Sequence, residues 1–395
     1  MASLVDTSVK HFLSTMYGAP VQNGLAGSKI AVLDACLITG FGLRAATRIT
    51  VATGVATVEF SVGASLPPPP DSVLLIDGAA QALLNGEQRV SESGSGVFKF
   101  RTAAPDSVDT GAGITFRYAP LGWAKPFSGS NQAVYRSTDP QSYGMYLYVD
   151  DRNARATAMR GYESMSAIDV GQGPFPTATQ AATGIWWGKS VSANTNAVRW
   201  SLAGDARFFF ENVATGSSGT ATNTGGGSRC FGDLLALRRA GDAFACVISG
   251  AGSEATAYSN PNVGSLEYSS TTTFFMPRAM TGLGSGVNPR YFSYIGTSSS
   301  GSGADTALGN FPSEVDGELK FSRTFVDNSP ASSGTPRALV PGIRYVPQGG
   351  LTAYFERDTY LIEEGTGRRL LASPHSTVAG GPAGYGFVDI TGPWR

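Results

Sequence analysis

The chain has 395 residues, with 29 Lys and Arg against 30 Asp and Glu, so its formal net charge is −1. The charged fraction is 15%, against about 25% in typical domains, and the 51 glycines favour many short strands joined by tight turns over long surface helices. No stretch is strongly basic, which argues against a nucleic-acid-binding protein, because such proteins usually carry a cationic patch.

The N-terminal residues and the cysteines bear on the compartment in which the chain folds. Met1–Asp6 carries neither a basic run nor an apolar run, so no secretory signal peptide is expected. No apolar stretch approaches the roughly 18–20 residues that span a bilayer, so no membrane span is expected. Cys36, Cys230 and Cys246 share no metal-ligand spacing, and an odd count argues against a disulfide framework. Folding in a cytoplasm fits these observations.

Residues 1–42 are predicted to form an extended arm followed by one short helix. Ser28 is a candidate cap, and Gly40 stands where a helix C-terminus is expected. Apolar residues at helical spacing form one face of this helix: Ile30, Leu33 and Leu37. We expect this face to be an assembly contact; packing of the helix on its own domain is the alternative.

Residues 43–120 are predicted to form a small β-sandwich or β-barrel domain. Two strand-like segments, 47–51 and 55–60, flank Ala52-Thr53-Gly54, which is typical of a hairpin. Four prolines, Pro67 to Pro70, cannot donate hydrogen bonds to a sheet and predict a stiff connector.

Residues 121–395 are predicted to form a larger β-rich domain, with one large sheet or sandwich. Hairpins are expected at 145–160 and 198–210, and further buried strands at 244–248 and 291–295. Low-complexity segments, 215–229 and 297–305, predict long flexible loops. The predicted fold class is therefore mainly β with one short N-terminal helix.

Residue patterns that carry catalysis are scarce. His11 and His375 have no neighbouring metal-binding or catalytic motif. The adjacent carboxylate pairs, Asp150-Asp151 and Glu363-Glu364, are better explained as turn and strand-end residues than as an acid/base pair. No enzyme activity, cofactor or metal is therefore expected.

The tryptophan pair Trp186-Trp187 allows two interpretations. Paired indoles can stack on sugar rings, which would give a contact for a glycan. Aromatic packing within the protein is the alternative, because tryptophan buries a large apolar area.

Several segments resemble a family of virion structural proteins of tailed bacteriophages, and the resemblance extends over nearly the whole chain. The residues that carry it are Gly18-Ala19-Pro20, Asn23-Gly24, Gly27-Ser28, Leu33-Asp34-Ala35-Cys36-Leu37-Ile38-Thr39-Gly40-Phe41-Gly42, Gly122-Trp123-Ala124-Lys125-Pro126-Phe127-Ser128-Gly129, Ala133-Val134-Tyr135-Arg136-Ser137, Leu147-Tyr148-Val149-Asp150-Asp151, Arg160-Gly161-Tyr162-Glu163-Ser164-Met165, Trp200, Gly204-Asp205, Phe208, Phe231-Gly232-Asp233, Gly241-Asp242-Ala243-Phe244-Ala245-Cys246 and Asp389-Ile390-Thr391-Gly392-Pro393-Trp394-Arg395. The segment from Val73 to Phe100 also resembles small β modules inserted in phage tail proteins.

The resemblance implies a non-enzymatic tail or baseplate/tail-tip protein that assembles symmetrically with copies of itself and with other virion proteins. A head decoration or neck/collar protein is the first alternative. A host polysaccharide-binding module is the alternative from another class, and a polysaccharide-cleaving enzyme is the remaining one. The resemblance also implies a location in the virion after synthesis in the host cytoplasm.

Overall fold

The computed structural model of the protein describes the chain except for residues 1–2, 64–65, 216–226, 239–240, 260–273, 294–308, 328–335, 347, 352–353, 356–357 and 375–384. The described residues form a mainly-β fold, which confirms the predicted fold class. The strands pair antiparallel in five sheets.

The first third of the chain contains a short strand, a helical segment and eight further strands. In order, these elements are β1 Lys10–Leu13, α1 Ser28–Leu33, a π-helix Asp34–Thr39, β2 Phe41–Ala52, β3 Val55–Phe60, β4 Val73–Asp77, a 3-10 helix Ala82–Leu84, β5 Gly86–Arg89, β6 Glu92–Gly94, β7 Val97–Arg101, β8 Ser107–Asp109 and β9 Thr115–Tyr118. The strands β2 to β9 form one sheet in the order β5-β4-β9-β2-β3-β7-β6, with β8 paired to β2. The predicted hairpin between β2 and β3 is confirmed; Thr53 and Gly54 turn it with positive φ at both positions.

The predicted helix forms, but its start and its exposed face differ from the prediction. Gly27 precedes the first helical residue, so Ser28 lies inside the helix, while Gly40 ends it with φ +69° as predicted. Leu33 and Leu37 are fully buried in the main core and Ile30 packs against that core. This corrects the expected assembly contact at Leu33 and Leu37, because a fully buried side chain offers no surface to a second chain. Ile30 is only half-buried, and an assembly contact there stays a prediction.

The middle of the chain supplies two six-stranded sheets. Its elements are β10 Ala124–Gly129, β11 Gln132–Arg136, β12 Tyr146–Asp150, β13 Ala156–Ala167, β14 Val170–Phe175, β15 Ile185–Gly188, β16 Trp200–Gly204, β17 Phe208–Val213 and β18 Gly227–Asp233. One sheet runs β10-β11-β12-β13-β14, with β15 also on β13, and confirms the hairpin predicted at 145–160. The other includes β16, β17 and β18 and confirms the hairpin predicted at 198–210.

The last part of the chain completes this second sheet and adds two small ones. Its elements are β19 Leu235–Ala236, β20 Cys246–Ser249, α2 Glu254–Ser259, β21 Phe274–Phe275, β22 Tyr291–Ser293, β23 Thr324–Asp327, β24 Pro336–Leu339, β25 Ile343–Val346, β26 Tyr360–Ile362, β27 Arg369–Pro374 and β28 Tyr385–Asp389. The four-stranded sheets have the orders β19-β24-β23-β22 and β25-β28-β27-β26. The described residues between 121 and 395 therefore contribute to four sheets, where one large sheet or sandwich was expected. Of the loop predicted at 215–229, the end belongs to β18, while 216–226 and the loop 297–305 lie outside the described residues.

The N-terminal arm is part of the fold. Strand β1 pairs antiparallel with β16, from Lys10↔Gly204 to Leu13↔Ser201, and all four of its residues are buried. Residues 10–13 are therefore part of a sheet of this chain, and an assembly role for the rest of residues 1–42 stays a prediction. The main hydrophobic cluster extends from Phe12 to Ile390 and includes residues of the first sheet and of both six-stranded sheets. The division at 43–120 and 121–395 stays a prediction.

A single guanidinium joins distant parts of the chain. Arg89, at the end of β5, donates hydrogen bonds to four backbone carbonyls, those of Asp6, Val9, Asp71 and Ile390, at 2.7 to 3.0 Å. A planar guanidinium with five N–H donors suits such a junction. The N-terminal arm, the first sheet and the C-terminal segment are thereby held together.

Candidate functional site

The two tryptophans proposed for a glycan contact lie on opposite faces of β15, because successive residues of a strand alternate. Trp187 is 0% exposed, and its Nε1 donates to the carbonyl of Ser249 at 2.6 Å. Trp186 is half-buried and packs on a small cluster that contains Ala156 and Ala251. The expected glycan contact is thus corrected for Trp187, and the two indoles form no joint platform.

The two adjacent carboxylates Asp150 and Asp151 also lie in different environments. Asp150 forms an exposed ion pair with Arg152. Asp151 is fully buried and accepts hydrogen bonds from the backbone N–H of Lys29 at 2.8 Å and from Lys189 Nζ at 2.5 Å. A carboxylate at the first turn of a helix is favourable there, so Asp151 fixes the start of α1.

A second buried ion pair joins α1 to β17. Lys29 Nζ lies 2.5 Å from both carboxylate oxygens of Glu211, and neither side chain is exposed. Burial lowers the pKa of Lys29 and raises the pKa of Glu211. Perturbed groups of this kind mark active sites when they face a cleft, but neither residue lines a described cavity. We interpret the pair as structural.

The remaining candidates for chemistry are also separate from one another. Glu363 pairs with Arg344 at 2.9 Å, while Glu364 is exposed. His11 is buried with its Nε2 at 3.3 Å from the hydroxyl of Tyr360, and His375 lies outside the described residues. Across the described part of the chain, no group of three or more His, Cys, Asp or Glu side chains could hold a metal ion.

A groove of about 840 Å³ opens beside Arg44, and its size is usual for a binding site. We call it the Arg44 groove; its walls are Thr15, Tyr17, Leu43, Arg44, Ala45, Thr47, Ser61, Val62, Gly63 and Leu66. The pairing of β2 with β3 ends at Ala46 and Phe60. Past this pair, residues 43–45 on one side and residues 61–63 and 66 on the other form the two long walls of the groove. The groove thus begins where the hairpin ladder ends.

Two glycines place Tyr17 over this groove. Gly18 and Gly42 both have positive φ, and a Cβ atom on Gly18 would lie 2.7 Å from the Cα of Gly42. A Cβ atom on Gly42 would lie 2.4 Å from the carbonyl oxygen of Tyr17. Only glycine allows the two backbones to cross this closely. The crossing holds the ring of Tyr17 3.9 Å from Arg44 Cζ, in a cation–π contact.

Arg44 is a half-buried cation without a carboxylate partner among the described residues. Its Nη2 donates to the carbonyl of Leu66 at 3.0 Å, whereas Nε and Nη1 are covered and have no hydrogen-bond partner. Burial lowers the pKa of Arg44, which the nearby Tyr118 and Tyr17 partly oppose. The groove therefore has a positive charge that no carboxylate of the described residues neutralises.

Large apolar side chains surround this charge. Leu43 is 62% exposed and Leu66 is 68% exposed, and Tyr17 and Val62 are also exposed. Exposed apolar residues that are grouped, rather than scattered, mark interaction surfaces. No sequence motif indicates that these residues form a site. The local signal is Leu43, an apolar residue at an outward position of β2. Its approach to Tyr17, Val62 and Leu66 arises from tertiary structure.

None of the described helices is long and apolar enough to cross a membrane. Comparison with models of known protein families gives no match, and comparison with curated proteins gives none either. The Arg44 groove is therefore interpreted from its own geometry and charge.

Proposed function

We propose that this protein is a non-enzymatic structural component of a tailed phage particle, in the tail or at the baseplate/tail tip, and that the Arg44 groove is one of its assembly contacts. The observation that carries the proposal is the grouping of four exposed apolar side chains around an uncompensated cation. A surface of this kind loses unfavourable contact with water when another protein covers it. The virion, rather than another assembly, is suggested by the resemblance described for the sequence.

The distribution of charge elsewhere supports a structural role. Ion pairs such as Lys29–Glu211 and Arg337–Asp242 are fully buried and hydrogen-bonded. Such pairs hold elements in one arrangement, and neither of these two pairs lines a described cavity, as a catalytic acid or base would. The glycan-binding alternative is less favoured, because Trp187 is fully buried and cannot stack on a sugar together with Trp186.

The test is to locate the protein in purified phage particles. We expect it to be present after density-gradient purification, at a copy number that is a multiple of three or six by quantitative mass spectrometry, with density at the tail or tail tip by cryo-electron microscopy. Density at the capsid or neck would favour the decoration or collar alternative. Absence from the particle would refute a virion role.

A further inference from the structure

A second exposed feature lies in the last quarter of the chain, in the turn formed by residues 313–317. Its tip is Val315, which is 93% exposed, the highest value among the exposed large apolar residues described. The turn is closed by a hydrogen bond from the N–H of Gly317 to the carbonyl of Ser313, at 2.8 Å. At its base, Phe311 packs edge-on against Tyr354, with ring centroids 5.1 Å apart. The structure thus presents a valine on a supported turn.

The charged side chains near Val315 differ in whether they have an ion-pair partner. Lys320 forms ion pairs with Asp316 and with Glu318, the latter at 2.7 Å. Gln348 fixes the backbone beside them by accepting from the N–H of Lys320 and donating to the carbonyl of Glu318. Glu314 is exposed and has no ion pair or hydrogen bond through its carboxylate among the described residues. One unneutralised carboxylate therefore stands next to one fully exposed apolar side chain.

This pattern is complementary to the Arg44 groove. The groove offers one unneutralised cation among apolar walls, and the turn offers one unneutralised anion beside an apolar tip. Complementary charge directs association, while the covered apolar area stabilises it.

We propose that the 313–317 turn of one copy of this chain docks into the Arg44 groove of a second copy, with Val315 between Leu43 and Leu66 and Glu314 facing Arg44. The inference rests on the proposed function, since it names the partner of the same groove. The two surfaces are different, so the contact is heterologous and repeats from copy to copy. Such contacts close into a ring when the rotation allows and otherwise continue as a filament.

Disulfide trapping tests the contact directly. The three native cysteines are buried, so single cysteines introduced at exposed positions report on association. We expect a mixture of Leu66→Cys and Val315→Cys proteins to form a mixed disulfide dimer under mild oxidation, with one variant carrying a mass tag. The control mixture is Leu66→Cys with Leu283→Cys, because Leu283 is also a highly exposed leucine but lies between two glycines and has no acidic neighbour. A mixed dimer no more abundant than in the control would overturn the proposal.

Charge reversal provides a second, independent test. Glu314→Arg and Arg44→Glu proteins, each checked for an unchanged circular dichroism spectrum, should each lose self-association in analytical ultracentrifugation at low salt. An equimolar mixture of the two should regain it, because each turn then meets a groove of opposite charge. Failure of the mixture, with both proteins folded, would contradict the pairing of Glu314 with Arg44.

The failure of this inference is distinguishable from the failure of the proposed function. A protein that is present in particles but gives no mixed disulfide keeps its virion role and loses the turn-in-groove contact. A protein that is absent from particles but gives the mixed disulfide keeps the contact and loses the virion role.

Discussion

Replacing His11 with glutamine should make the protein less sensitive to acid. His11 lies on the buried strand β1 and is 1% exposed. Burial, together with the nearby positive charges of Arg89 and Arg369, lowers its pKa from 6.5 to about 3. Its Nδ1 has no hydrogen-bond partner, so the folded environment offers little to an imidazolium.

The sign and size of the effect follow from proton linkage. Between pH 6.5 and about 3, the unfolded chain binds a proton at His11 and the folded chain does not, so acidification favours unfolding. Stability is unaffected by this group above pH 6.5 and falls by about 1.4 kcal/mol for each pH unit below it. At pH 5 the loss of stability attributable to His11 is therefore about 2 kcal/mol.

Urea unfolding at pH 7.5 and at pH 5 measures this loss. Glutamine places an amide near the position of Nε2 but takes up no proton in this range, so the His11→Gln protein should lose about 2 kcal/mol less than the wild type between the two pH values. Tyr360→Phe is the matched control, because it removes the hydroxyl that lies 3.3 Å from Nε2 and leaves the imidazole in place. Its stability should change by a similar amount at both pH values. Equal losses in the wild type and in His11→Gln would refute the reasoning.

Three further changes test the buried junctions and the groove by urea unfolding at pH 7.5. Arg89→Met should lower the free energy of unfolding by about 3 kcal/mol or more, because it leaves several buried carbonyls without hydrogen-bond donors. Arg89→Lys should recover little of this loss, since one ammonium group cannot reach all four carbonyls. Lys29→Met should lower the free energy of unfolding by about 3–5 kcal/mol, because it leaves Glu211 buried without its partner. The double variant Lys29→Met with Glu211→Leu should have a stability much closer to that of the wild type. Equal losses of stability in the single and double variants would contradict the interpretation of these residues as a buried pair. Gly42→Ala should lower the free energy of unfolding by about 2 kcal/mol or more, because the new Cβ atom would collide with the carbonyl of Tyr17. The control is Gly252→Ala, where a Cβ atom meets nothing within 4 Å, and this change should lower the stability by less than about 1 kcal/mol.

Short-range features of the fold were predictable from the sequence. The hairpin at Thr53–Gly54 and the helix end at Gly40 depend on residues that favour one local backbone conformation, so neighbouring residues suffice to predict them. The composition likewise predicted the mainly-β class.

The pairing of β1 with β16 joins segments about 190 residues apart in the chain, and no local pattern encodes such a partner. An apolar helix face such as that of Leu33 and Leu37 looks the same in sequence whether it packs on its own sheet or on a second chain. The opposite directions of Trp186 and Trp187 were implied by the alternation of a strand. The Arg44 groove was not predictable, because its walls come from three separated segments.

The junction at Arg89 also determines where the two ends of the described fold meet. The carbonyls of Asp6 and Ile390 are bound by the same guanidinium, and a Cβ atom on Gly392 would lie 3.0 Å from Oδ1 of Asp6. Force applied between these end segments would therefore load the hydrogen bonds of Arg89, together with those that Arg395 donates to Asp205 and Asp233. In an assembly that is pulled or twisted, we expect these side-chain contacts to share the load with the pairing of β1 and β16.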